Sequence, residues 1–311
     1  MAPSLARTLA ASLLTAAACG NAPVVADLEA AVAELGAPPR CAATKLEPGI
    51  FSTDADEGRL VFSLDGRTAY FHRFLTEGNR IHESHRQGGR WSPPEVVAFS
   101  SGHDEIDPFL TLDGHTLYYS SFRPRPGSGS DAPRADADLW KVVRTAGGGW
   151  SEPILVPDVN SEHNELFASV TLDGTLYFNS DRPGGVGAWD IYTARPRRGG
   201  YHPPRPLRGG VNTAIWEFNP SPSPGGTVLA FASLDPDPLA PYSDVFFAFG
   251  LGGVYSERIN AGPCVNTENE EYHPTLDLAR GRLVFVRRDP FNPETQGDFY
   301  EVRLPGGFWM D

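Results

Sequence analysis

Residues 164–192 read NELFASVTLDGTLYFNSDRPGGVGAWDIY, and five copies of this pattern run along the chain at a spacing of roughly fifty residues. An apolar run at 166–172 meets an Asp173-Gly174 turn, a second run at 176–179 meets a Gly-rich loop, and a third opens at Asp190. Short β-type runs joined by such turns describe an antiparallel meander, because Asp-Gly supplies the left-handed backbone that a tight hairpin needs. The turn returns as Asp65-Gly66 and Asp113-Gly114, then more loosely as Gly225-Gly226 and Arg280-Gly281. The second runs are TAYFHR, TLYYSS, TLYFNS, TVLAFAS and RLVFVRR, apolar on both faces, as strands between stacked sheets must be. Third runs open on Asp138, Asp190, Asp244 and Asp298. After a Gly turn each copy then places an aromatic, Trp91, Trp150, Tyr201, Tyr255 or Trp309, to open a fourth strand.

Five such units predict an all-β fold: a five-bladed β-propeller of four-stranded antiparallel blades over residues 46–311. The segment LEPGI at 46–50 matches SEPIL at 151–155, so it is expected to complete the last blade and remove the open edges of a linear array. Gly 33 and Pro 29 in 311 residues suit a chain made largely of turns between short strands. A formal charge of −13, with no cluster of basic residues, excludes a nucleic-acid surface.

The pattern E-x-x-P-x-x-S-x-D-G-x-x-L-Y-F-x-S-x-R-P-G-G-x-G-x-x-D-I-Y, written most fully at 165–192, resembles the WD40-like repeats of bacterial envelope proteins. These are the TolB-type propellers and their lipoprotein relatives. The resemblance spans residues 46–311 and implies the fold and an envelope setting, in which relatives serve as scaffolds or partner-binding modules.

Each copy begins its first strand with a glutamate: Glu57, Glu105, Glu165, Glu217 and Glu271. Residues equidistant from a hairpin turn face each other, and reflection brings an arginine close to four of the five. The expected structural pairs are Glu57 with Arg73, Glu105 with Arg123, Glu165 with Arg182, and Glu271 with Arg288 at the Arg287-Arg288 step. Glu217 reflects onto Ser233 and is expected to lack an arginine, which makes it a candidate for a ligand. His103, His163 and His273 stand two residues from a glutamate, on the same strand face, yet no blade supplies three metal ligands. Long Pro- and Gly-rich loops after the second strands share one rim, and Arg123, Asp138 and Asp235 flank them as candidate partner contacts.

Residues 1–19 read as an export signal, with a short apolar run ending in small residues, and 20–45 as an Ala/Pro-rich tether with a short helix. Ala16-Ala-Ala-Cys19 resembles a lipobox, so Cys19 is the expected lipidation site and the only membrane link; plain secretion is the alternative. The address is then periplasmic or outer-membrane, where Cys41 and Cys264 could form a disulfide. No nucleophile elbow, phosphate loop or zinc motif is present. The sequence therefore predicts a non-enzymatic propeller that binds an envelope protein or cell-wall component, with no cofactor and no metal. The alternative is a glycoside-active enzyme using unpaired carboxylates in the central cavity, Glu217 with Asp104 or Asp107.

Overall fold

The computed structural model describes residue 30 and residues 42–234, 242–292 and 294–305. The predicted signal, most of the tether, Cys19, Cys41, Asp235 and Trp309 lie outside the described residues. Five antiparallel sheets form the blades of a five-bladed β-propeller. Blade one contains Asp56–Phe62, Thr68–Phe74, Arg80–Gln87 and Glu95–Val96. Blade two contains Glu105–Leu110, Thr116–Ser121, Asp138–Val143 and Ile154–Leu155. Blade three contains Glu165–Val170, Leu176–Ser180, Asp190–Ala194 and Arg205–Pro206. Blade four contains Trp216–Pro222, Val228–Leu234, Ser243–Leu251 and Ile259–Asn260. Blade five contains Glu270–Asp277, Arg282–Arg288 and Asp298–Arg303.

The fourth strand of blade five comes from the other end of the chain. Thr44–Lys45 pairs with Asp298–Arg303, Thr44 opposite Glu301 and Lys45 opposite Tyr300. The pairing begins two residues before the predicted segment, and Leu46 extends it by donating its N–H to the Phe299 carbonyl at 2.8 Å. Ser52 accepts the Phe299 N–H at 3.1 Å, and Lys45 pairs with Asp298 at 2.7 Å, so one short strand is held by three kinds of contact.

The second strands are buried as their two-faced apolarity requires, with Tyr70, Phe71, Tyr119, Phe178, Phe231 and Phe285 all at 0% or below 2% exposure. The aromatics after the Gly turns sit in hairpin tips just before the fourth strands, and three of them clasp the preceding blade. Trp150 packs on Tyr70, while the hydroxyls of Tyr118–Tyr201 and Tyr177–Tyr255 meet at 3.0 Å. In three turns a Ser or Thr hydroxyl binds the turn aspartate at 2.6 Å (Ser63–Asp65, Thr111–Asp113, Thr171–Asp173), which closes the hairpin on itself.

Candidate functional site

The glutamates that open the first strands are all fully buried, at 0% exposure, and a buried carboxylate needs partners. Each takes the hydroxyl of a Ser or Thr four residues earlier: Thr53, Ser101, Ser161, Thr213 and Thr267. The same residues donate their backbone N–H to the glutamate. An arginine completes every set. Glu57 meets Arg73 at 3.4 Å, Glu105 contacts Arg123, Glu165 meets Arg182 at 2.7 Å, and Glu271 meets Arg287 at 2.7 Å.

Two expectations are corrected here. Arg288 lies opposite Glu270, and its neighbour Arg287 is the partner of Glu271, because Glu271 and Arg287 are in register. Glu217 is not unpartnered: Arg258, beside the fourth strand of its own blade, reaches it at 3.5 Å, and Thr213 donates to it at 2.6 Å. Burial pushes Glu57 up to about 7, against the hydroxyl and arginine contacts that lower it, and raises Glu165, Glu217 and Glu271 in the same direction. These sets fix the geometry of the first strands.

The candidate rim contacts divide. Asp138 is fully buried, gripped by Arg125 at 2.7 Å and Arg134 at 3.2 Å, so it anchors the loop before it instead of facing a partner. Arg123 is committed to Glu105. His103 and His163 are half-buried in the loops ahead of Glu105 and Glu165, and neither joins a ligand group. Cys264 is disulfide-bonded.

His273 is different. Two residues past each glutamate the first strand bulges, shown by a register shift in all five blades. The residues at that step are Arg59, Asp107, Phe167, Asn219 and His273, all at positive φ between 34° and 59°. A bulge leaves one residue out of the ladder and re-aims its side chain, here toward the propeller axis. Three contacts cross the axis between non-adjacent blades. Arg59 of blade one donates to Ser169 of blade three, His273 of blade five meets Asp107 of blade two at 3.5 Å, and the Phe167 ring of blade three meets His273 at 5.3 Å. His72, on the second strand of blade one, joins them at 3.7 Å from Asp107.

His72, Asp107 and His273 bring one ligand atom each within 4.8 Å of one another, the spacing of a metal-ligand set. The hydrogen bonds argue otherwise. Asp107 N–H donates to His72 Nδ1, and Arg59 N–H to His273 Nδ1, both at 3.1 Å. An imidazole that accepts at Nδ1 carries its proton on Nε2, so neither free nitrogen has a lone pair to give a cation. The neighbouring Arg59 guanidinium adds a positive charge to the same space. Burial holds both rings neutral, driving His72 down to about 3 and His273 well below its ordinary value, with Arg59 assisting in each case. Burial also drives Asp107 well above the usual carboxylate range, although Arg59 opposes it.

The axial cluster is not satisfied by the protein. Arg59 Nη1, His72 Nε2, both Asp107 oxygens and Asn219 Nδ2 are buried without a hydrogen-bond partner. Buried polar atoms in native proteins are nearly always paired, so a concentration at one place marks a ligand or water site. Sequence reasoning noted Asp107 and His273 but missed Arg59 and His72. The signal was the column two residues after each glutamate, which reads Arg, Asp, Phe, Asn, His.

No protein-family model and no curated protein matches the sequence. Solved structures do match by shape. An α-L-arabinofuranosidase from Lactobacillus brevis aligns with 83% of this chain and 92% of its own, at TM-score 0.55 and 12% identity. The catalytic domain of a Coprinopsis cinerea α-L-arabinofuranosidase covers 86% and 98%, at TM-score 0.51 and 11% identity. TolB from Acinetobacter baumannii is also a neighbour, at TM-score 0.45 and 14% identity; 79% of this chain aligns and spans 55% of that one. The two arabinofuranosidase likenesses agree with the fold described above, a five-bladed β-propeller. They also correct the expectation of a non-enzymatic envelope scaffold, since the better-matching neighbours are glycosidases. That expectation leaned on the arginine-paired glutamates and on the lack of a catalytic motif in the sequence.

Proposed function

We propose that the protein is a glycoside-active enzyme whose substrate sugar enters the mouth of the central channel and meets Asp107 there. The single observation that carries this reading is the axial cluster, where unpaired donors (Arg59 Nη1, His72 Nε2, Asn219 Nδ2) stand around the unpaired oxygens of Asp107. A sugar hydroxyl is donor and acceptor at once, so a polyol can satisfy such a mixed lining where a simple ion cannot.

Asp107 has the environment of a general acid. Burial raises its pKa well above the ordinary carboxylate value and so favours the protonated form, and a neutral carboxylic acid can deliver a proton to the departing glycosidic oxygen. Arg59, within electrostatic reach, then stabilises the carboxylate left behind. Hydrolysis by either stereochemical course uses a second carboxyl. That second carboxyl is none of the five first-strand glutamates, Glu217 included, because each is held by a hydroxyl, a backbone N–H and an arginine.

The arabinofuranosidase neighbours select the first substrates to try: aryl α-L-arabinofuranosides and arabinan. Turnover is expected in the wild type, with Asp107→Asn losing at least about 100-fold while remaining folded. Wild-type turnover untouched by Asp107→Asn would remove the assignment.

A further inference from the structure

Resting on that reading, we propose that Phe167 is the stacking platform for the substrate sugar at the channel mouth. The backbone gives the first reason. Of the five bulge residues at positive φ, Asp107, Asn219 and His273 belong to the types that tolerate the left-handed region, and Arg59 is held by its cross-axis bond to Ser169. Phe167 takes φ 58° from the bulge all five blades share, although a bulky aromatic is poorly suited to that region. A bulky residue is strained in that region, and such strain persists where it positions a side chain for work.

Position gives the second reason. Phe167 is half-buried directly over the axial cluster, its ring 5.3 Å from His273 and 6.5 Å from Phe218 of blade four. His273 lies 5.5 Å from His72, which lies 4.8 Å from Phe74, itself 39% exposed. Phe218, Phe167, His273, His72 and Phe74 thus form a chain of tilted and edge-on ring contacts, with exposed or half-exposed phenyl rings around two buried imidazoles, and Phe167 is the ring that meets the cluster from blade three. An aromatic face is electron-rich and attracts the weakly positive C–H face of a sugar ring. The hydroxyl edge of the same sugar would turn to the unpaired atoms of Asp107, Arg59 and Asn219. A purely apolar ligand would leave those atoms unsatisfied, and a simple anion would make no use of the rings.

The test is calorimetric titration of arabino-oligosaccharides into the wild type, Phe167→Leu and Phe167→Tyr, with melting temperatures recorded and KM and kcat determined on an aryl arabinofuranoside. Leu keeps apolar bulk and the same backbone strain but has no π face; Tyr keeps the ring. Phe167→Leu is expected to weaken binding about tenfold or more and to raise KM with kcat little changed, while Phe167→Tyr stays within about threefold. Equal affinity of Phe167→Leu and wild type overturns the platform, and leaves the catalytic reading intact if Asp107→Asn is still inactive. Absence of both binding and turnover in the wild type overturns the two together.

Discussion

Two rings of residues lie two positions apart on the same five strands, and they follow opposite rules. The glutamate ring is written identically in every blade, and each carboxylate is met by a hydroxyl, a backbone N–H and an arginine. The bulge ring differs in every blade, faces the axis, and carries polar atoms that the protein leaves unmatched. Repetition of one partner set is what a fold needs to set each blade at the same angle. Variation with unmatched groups is what a site needs, because only there does a ligand gain by supplying the missing partners.

The largest effect expected from this contrast is on stability. Glu165→Ala should cost roughly 3–5 kcal/mol in chemical denaturation, because it strands Arg182 and the Ser161 donors in a buried setting. A cost below about 1 kcal/mol would mean that the glutamate ring is not structural. Asp107→Asn should act in the other direction, adding about 0.5–2 kcal/mol at pH 7 while activity is lost, since the fold gives up stability to hold that acid on the axis.

The pH dependence sharpens the same comparison. The folded pKa of Asp107 lies well above its unfolded value near 3.8, so its contribution is present in full below about pH 4 and is lost as pH rises through the folded pKa. The stability difference between wild type and Asp107→Asn should therefore widen with increasing pH. A difference independent of pH would show an ordinary carboxylate. His72 runs oppositely: its depressed folded pKa costs stability as pH falls from 6.5 toward 3, which is why the difference between variants, not the raw curve, isolates Asp107. The smallest effect belongs to the blade clasps. Tyr201→Phe removes one hydroxyl contact with Tyr118 and should lower stability by about 1 kcal/mol without touching turnover.

The fold was legible because its information is redundant: five imperfect copies of one meander specify strand order, turn position and closure more firmly than any one copy. Reflection through the hairpin turn found the arginine partners for a simple physical reason, that a long guanidinium side chain reaches back over small register errors. Glu105 is opposite Ser121, and Arg123 still reaches it from two residues further on. The method failed for Glu217, whose arginine arrives from Arg258, beyond the third strand and outside any hairpin reflection. It failed for the axis as well, because a bulge breaks strict alternation. Strict alternation would set Asp107 on the Glu105 face and Phe167 on the Glu165 face, as one more structural layer. The shift after Ile106 and after Leu166 instead delivers them to the channel, with His72 arriving from a neighbouring strand.

The pairing of Thr44–Lys45 with the last blade gives the molecule a latch as well as an edge cover. Residue 44 cannot find residue 301 until the final blade exists, so the ring stays open throughout chain elongation and shuts in one late, long-range event. Until then the facing surfaces of the first and fifth blades, with Phe51, Phe71 and Phe299 between them, are wet. Assembly order is thereby built into the topology: the axial site, which draws residues from all five blades, comes into being only when the two ends of the polypeptide meet.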